Sequence, residues 1–478
     1  MAIALCLVPL LSALAAFLLP SRRFRPWLVP MGAAAHMGLL VAALQSDAVV
    51  SGFDGWLQLD KLNRIALPLV STLFFACSLY VPVYLHLRSE RPNRTFCAAL
   101  LVFLAMMTIV TLSHHLGLMW IALEATTLAS APLIYFNHNK RSIEATWKYL
   151  LIGGVGIALA LLGTFFLAYA ALHAGLDASL LVDELVRTAP LLSRPWLHTA
   201  FIVLFVGYGT KMGLAPMHTW KPDAYGEAPG VVGALLAGGL TTCAFVALLR
   251  FYQICAAAGE GVFARHIMLT MGLLSIAVAA VFMARQRDYK RMLAYSSVEH
   301  MGILTLGMGI GGLAAFGSLL HLINNALTKG VLFIAAANIH RAYQSKTIES
   351  VSGALRRVPA SGALFIAGFF AITGSPPFGP FLSEFTILRG AVATGRYGVA
   401  ATFLVLLFVV FAGMGATTLA VVQGEPRGDL PATGFHDTVG TVGPALLLLT
   451  AVLVLGVWVP PALDAALRDA ALFVETGR

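Results

Sequence analysis

The chain is written in long apolar blocks separated by short polar and basic segments, and the blocks recur from end to end. A helix needs about 20 apolar residues to cross the hydrocarbon core of a bilayer. Fourteen blocks meet that length: residues 1–20, 27–45, 65–87, 96–113, 115–136, 144–173, 197–224, 230–256, 264–284, 292–312, 313–339, 361–389, 397–423 and 438–461. Their apolar residues run continuously instead of alternating, which excludes the strands of a membrane barrel. The pattern predicts an all-α integral membrane protein with about fourteen transmembrane helices. The first block has no basic start and no clear cleavage site, so it reads as a span and not as a removed leader.

Two blocks are interrupted at comparable places. One carries Lys211-Met-Gly-Leu-Ala-Pro216-Met-His218-Thr-Trp-Lys221-Pro222, the other Gly374-Ser-Pro376-Pro377-Phe-Gly379-Pro380. Proline removes a backbone donor and clashes with the preceding turn. Such breaks survive at membrane depth only when buried in protein or lining a wet cavity. They lie five spans apart, so the two broken helices cross in opposite directions, the pattern of inverted repeats with ion sites at the breaks. The expected organisation is three helices in 1–95, a first inverted five-helix repeat in 96–260 and a second in 261–424. Residues 425–478 supply helix 14 and a short surface helix marked by Leu463, Leu467 and Ala471.

Composition agrees. The 478 residues are 59% hydrophobic and 11% charged, against about 25% charged in a soluble domain. The net charge of +9 does not point to nucleic acid, because the basic residues gather in alternate loops: Arg22, Arg23 and Arg25; Arg88, Arg91 and Arg94; Arg285, Arg287, Lys290 and Arg291; Arg341, Lys346, Arg356 and Arg357. That is the positive-inside bias, and it puts both termini outside, periplasmic for a multi-pass protein of a bacterial inner membrane. The five cysteines sit in apolar runs without a CxxC, so no iron–sulfur, zinc or haem site is expected. Gly307–Gly312 has no strand before it and reads as helix packing, not dinucleotide binding. No cofactor and no metal is expected.

What stands out against this background is a small set of ionisable residues inside the blocks. An intramembrane Lys or Glu costs several kcal/mol and is a functional-site hypothesis by default. Glu124 lies mid-span in Trp120-Ile-Ala-Leu-Glu-Ala-Thr-Thr-Leu-Ala-Ser-Ala-Pro132. Lys211 lies 14 residues into its span, roughly 20 Å along at 1.5 Å per residue. That is too deep for its stem to reach a head group. A Glu124–Lys211 pair keeps both groups charged and can switch between paired and released states; a purely structural ion pair is the other reading. Glu384 follows the second break and is expected nearer the outer face. In His321-Leu-Ile-Asn324-Asn325-Ala-Leu-Thr-Lys329, positions 321, 325 and 329 share one helix face. The stripe can order water and relay protons, or it can serve helix–helix hydrogen bonding. Glu299 and His300 could extend it, and His218 stands beside the first break. Glu144 and Lys148 read as an interfacial pair, and His114 and His115 as solvated at a span junction.

Taken together these segments, with Asp288-Tyr-Lys-Arg-Met-Leu-Ala-Tyr-Ser-Ser297 and the run from Lys211 to Pro229, resemble the proton-translocating antiporter-like subunits. Those are shared by respiratory complex I, Mrp-type sodium/proton antiporters and membrane-bound [NiFe] hydrogenases. The wording from Glu124 to Leu162 looks most like the F component of hydrogenase-4. The resemblance implies that Glu124 and Lys211 are the input pair, His321 and Lys329 a relay, and Glu384 the exit. It implies a subunit that is not catalytic alone, with membrane partners and soluble redox subunits in lipid. It also leaves a sodium/proton antiporter subunit, or the membrane half of an inorganic-carbon uptake complex with a soluble zinc partner, as further readings. Three departures are visible: Thr242 stands where the family often has an eighth-helix lysine, Asn325 where histidine is usual, and Lys221 and Tyr225 alter the loop after the first break. Thr and Asn orient water but accept no proton near neutral pH, so a structural, non-conducting subunit is a further reading.

Overall fold

A computed structural model describes residues 1–46, 49–426 and 433–477. It is helical almost throughout. The first group of helices is α1 (Ala2–Leu18), α2 (Leu28–Leu44), α3 (Asn63–His86), α4 (Arg94–Leu112), α5 (Leu116–Ile134), α6 (Lys140–Leu172) and the short α7 (Val182–Thr188). Then come α8 (Arg194–Met212) and α9 (Trp220–Glu227), two halves of one broken helix, followed by α10 (Gly230–Leu235) and α11 (Thr241–Ala257), joined through one π-helical turn. The remainder is α12 (Gly261–Met283), α13 (Tyr289–Ile310), α14 (Leu313–Tyr343), α15 (Ala354–Arg357), the broken pair α16 (Pro359–Ile372) and α17 (Gly379–Ala393), α18 (Tyr397–Val422), α19 (Val439–Val457) and α20 (Pro461–Thr476). A two-stranded hairpin, β1 (Ser51–Gly52) with β2 (Leu57–Gln58), is the one departure from all-α among the described residues.

Every expected span coincides with a helix or a broken pair. Among the described residues, ten helical segments are long and apolar enough to cross a bilayer by themselves. The other four fall short for physical reasons. Helix α1 has 17 residues, α8–α9 and α16–α17 are cut in two, and α13 carries Lys290, Arg291, Glu299 and His300.

The bundle has an inside and a lipid-facing rim, and both are apolar, because lipid and protein core offer the same solvent to a leucine. Helix α14 and the α10–α11 segment have their apolar windows wholly buried, whereas α18 and α19 leave most of theirs exposed. Helix α14 is the hub, packed against α10, α13, α16, α17 and α19. With no hydrophobic driving force between helices, close backbone approach through small residues holds them together. At Gly207 an added Cβ would sit 2.6 Å from Ala160 N and 2.8 Å from Gly156 O, so α8 lies directly on α6. The chain's last helix, α20, is tied down: Phe473 O accepts from Gln253 and Glu475 Oε1 accepts from Gly312 N. Leu467 and Ala471 are buried as expected, together with Ala470 and Val474.

Replacing Gly207 by leucine forces α6 and α8 apart. Overpacking of this kind costs about 1–3 kcal/mol or more. The variant should melt several degrees below wild type in detergent, and an unchanged melting temperature would contradict this packing.

Candidate functional site: a buried row of titratable side chains

The first break sets up the site. Gly213, at φ +78°, ends α8, and its N–H returns to Gly209 O at 2.7 Å. Carbonyls stranded at a helix end need partners. The Trp220 indole reaches back across the break to Thr210 O at 2.9 Å, and Ala215 N donates to Ser275 Oγ at 3.0 Å. With its backbone satisfied, the break holds Lys211 in the penultimate position of α8 with its side chain fully buried. Lys211 Nζ lies 3.1 Å from Glu124 Oε2, donates to Thr127 Oγ1 and sits over the Tyr149 ring. The expected Glu124–Lys211 ion pair is formed, with Thr127 as an added acceptor.

A second set of groups lines up on α13 and α14. Lys329 Nζ donates to Ser296 Oγ at 2.7 Å. Glu299 follows, its carboxylate 3.7 Å from His300 Nε2. His300 Nδ1 and His321 Nε2 are 2.9 Å apart, and His321 Nδ1 is 2.9 Å from Ser383 Oγ, one residue before Glu384. Glu384 is buried beside the second break, with Oε1 lacking a hydrogen-bond partner, and its carboxylate lies within 4.8 Å of the two imidazoles. Glu299 and His300, which the sequence offers only as extensions, lie in the same cluster, Glu299 beside His300 and His300 against His321. His300, His321 and Glu384 form a three-ligand cluster. Both His321 nitrogens are engaged, one by His300 and one by Ser383, which favours a hydrogen-bonded wire over a metal cage.

Two polar cavities open on the basic face. One of about 610 Å³ is lined by Arg88, Arg91, Glu227, Lys290, His340 and Lys346. A neighbouring one of about 530 Å³ is lined by Glu144, Lys148, Asp223, Arg287, Asp288 and Arg291. Glu144 and Lys148 pair at 2.6 Å as expected, and Lys148 also bonds Asp223 at 2.9 Å, which Arg291 holds from the other side at 3.3 Å. Helix α9 thus runs from the row at its start to the cavities at its end. At the far end of the row Glu384 borders a third cavity of about 340 Å³, lined by Gly374, Pro376, Phe385, Phe403 and Phe408.

Three expectations are corrected or narrowed. His114 is not solvated: it is buried between Asp60 and Asp183, each at 3.5 Å, because the hairpin loop and α7 clamp its backbone. A hydrogen bond from His114 holds the Asp183 carboxyl below its ordinary pKa. His115 is half-buried, stacks on Trp56 and caps α5. His218 lies beside the break but packs against Phe282 and Tyr295, with no side-chain hydrogen bond to the row. Thr242 donates to Gly238 O at 2.5 Å, and Asn325 has both side-chain polar atoms unpartnered among the described residues. The serines 296, 297 and 383 went unread, since serine in a helix carries no distinguishing signal. Lys221 did carry one, as a departure from the family's usual wording after the first break.

Glu124 is 28% exposed and Lys211 only 1%, so removing the glutamate alone strands a buried ammonium, which costs more than removing both groups. Glu124→Gln should therefore melt below the Glu124→Gln/Lys211→Met double variant in a thermal-unfolding assay. A double variant less stable than the single one would contradict the pairing.

The geometry can be set beside known proteins. The family model described as NADH:quinone oxidoreductase/Mrp antiporter, TM matches residues 113–413. A hydrogenase-4 component F homolog from Methylacidiphilum infernorum is 35% identical over 90% of this chain and 91% of its own. The NADH-quinone oxidoreductase subunit N of Desulforudis audaxviator is 30% identical over 84% and 82%. Among solved structures, a chain of the Mrp complex from Dietzia superposes with a TM-score of 0.86 over 99% of this chain and 97% of that one, at 18% identity. A chain of respiratory complex I from Thermus thermophilus does so with a TM-score of 0.79 over 96% and 97%, at 25% identity. The chain belongs to the NADH:quinone oxidoreductase/Mrp antiporter family of transmembrane subunits.

Proposed function

We propose that this subunit carries protons along the buried row, within a hydrogenase-4-like or other complex-I-related membrane complex whose partner subunits supply the redox chemistry. The observation that carries the reading is the run Lys329–Ser296, Glu299, His300–His321–Ser383 beside Glu384, buried inside an apolar bundle, with Glu384 bordering a cavity at one end. The likeness to hydrogenase-4 component F and to complex I subunit N supports the type of complex.

In this reading the basic face is the inner face, and protons enter through the cavities around Asp223, Glu227 and Lys346. The termini lie on the outer face of a bacterial cytoplasmic membrane. Residues 96–260 and 261–424 act as two inverted units. Their matching packing supports the division: α4 on α5 and α6 on α8–α9 in one, α12 on α13 and α14 on α16–α17 in the other. Lys211 paired with Glu124 is held as an ammonium. A positive charge arriving nearby weakens the pairing and frees Lys211 to give up its proton. Imidazoles of His300 and His321 accept on one nitrogen and donate on the other, passing a proton to the Glu384 region.

Cation antiport is the second reading, favoured by the Mrp description of the family. The row argues for protons, because amines and imidazoles are interleaved with its oxygen groups, while hard cations are held by oxygen.

The test is the complete complex, isolated through a tag on this subunit and reconstituted in liposomes containing pyranine. A potassium diffusion potential should drive proton movement in sodium-free buffer. Lys211→Met and Glu384→Gln should each abolish it while the subunit composition stays unchanged. Normal proton movement in both variants would overturn the reading, and a strict sodium requirement would favour antiport. Mass spectrometry of the same preparation should find a nickel–iron subunit; a zinc protein in its place would point to inorganic-carbon uptake.

A further inference from the structure

Lys221 is the one fully buried lysine that the row described above does not use. It is the second residue of α9, has no solvent exposure and makes no ion pair with a carboxylate among the described residues. A lysine buried without a counter-charge is costly, and such groups mark function more often than stability. Its placement is built. The stem lies across the first break, where it fills the space a Cβ at Gly213 would occupy, and glycine there also meets the φ of +78°. The amine sits over the rings of Trp220 and Tyr225, at 6.0 and 5.8 Å, and donates to Ser297 Oγ at 3.1 Å.

Those neighbours put Lys221 between the two halves of the row. On one side Trp220 packs against Tyr149, the ring beneath Lys211. On the other, Ser297 adjoins Ser296, which holds Lys329. Thr242, on α11, offers no titratable group, and its hydroxyl is spent on Gly238 O.

We infer that Lys221 is the proton relay that joins the Glu124–Lys211 pair to the Lys329–His321 segment, occupying from α9 the role that Thr242 leaves empty on α11. The step is a simple exchange. The Lys221 amine takes a proton released by the Lys211 ammonium through intervening water and becomes an ammonium; it then gives that proton to the amine of Lys329 by way of water at Ser296 and Ser297. Repulsion between two ammonium groups on adjacent serines lets only one of Lys221 and Lys329 carry the proton at a time, so Lys221 returns to a neutral amine as Lys329 becomes an ammonium.

This inference rests on the proton-carrying reading, and the same reconstituted complex separates the two. If the wild-type complex moves no protons, that reading fails at once. If it does, Lys221→Met and Lys221→Arg should both lower the initial rate at least tenfold with full assembly. Arginine keeps the charge but cannot release a proton. A near-normal rate for Lys221→Met would overturn the inference. So would loss in Lys221→Met with full activity in Lys221→Arg, since a fixed positive charge would then suffice. Should the lysine variants fail to assemble, Ser297→Ala removes only the tether and should slow the flux several-fold; an unchanged rate would overturn the inference.

Discussion

The structure depends on one constraint: a charge taken into an apolar bundle must find a partner inside it. Burying an isolated ammonium or carboxylate costs several kcal/mol even after relaxation. Lys211 meets the constraint with Glu124 and Thr127, Lys329 with Ser296, and His321 with His300 and Ser383. Each solution links two helices, so satisfying the charges also fixes α5 to α8, α13 to α14 and α14 to α17. The polar row is both the costliest part of the fold and the element that sets its register.

The broken helices follow from the same constraint. An unbroken helix spends all its backbone groups on itself and offers only side chains. By stopping at Gly213 and restarting at Trp220, the chain brings Lys211 and Lys221 from separate half-helices to the two sides of one aromatic layer. The second break places Ser383 and Glu384 beside the histidines. The glycines that pack α8 onto α6 and the indole that caps Thr210 keep these breaks in shape.

Much of this was legible in the sequence because the bilayer imposes a simple rule. Apolar runs of fixed length give helices, and proline within them gives breaks; α8–α9 and α16–α17 appear where expected. The Glu124–Lys211 pair was legible because only one pairing keeps both groups charged. Contacts that depend on side-chain reach were not. The seven-residue interval from Leu293 to His300 gives no hint that Ser296 and Ser297 face different lysines. His114 was misread because its burial comes from Asp60 and Asp183, distant in sequence, folding over it. Lys221 showed itself only as a departure from the family's wording; its burial and its contact with Ser297 are tertiary facts.

The central claim is that protons pass through this subunit along the row. Lys329 stands where its two halves meet, so proton flux through the reconstituted complex with Lys329→Met, normalised to assembled subunit, tests the claim most directly. A collapse to the leak of empty liposomes is the predicted result. Flux equal to wild type would mean that protons take another path.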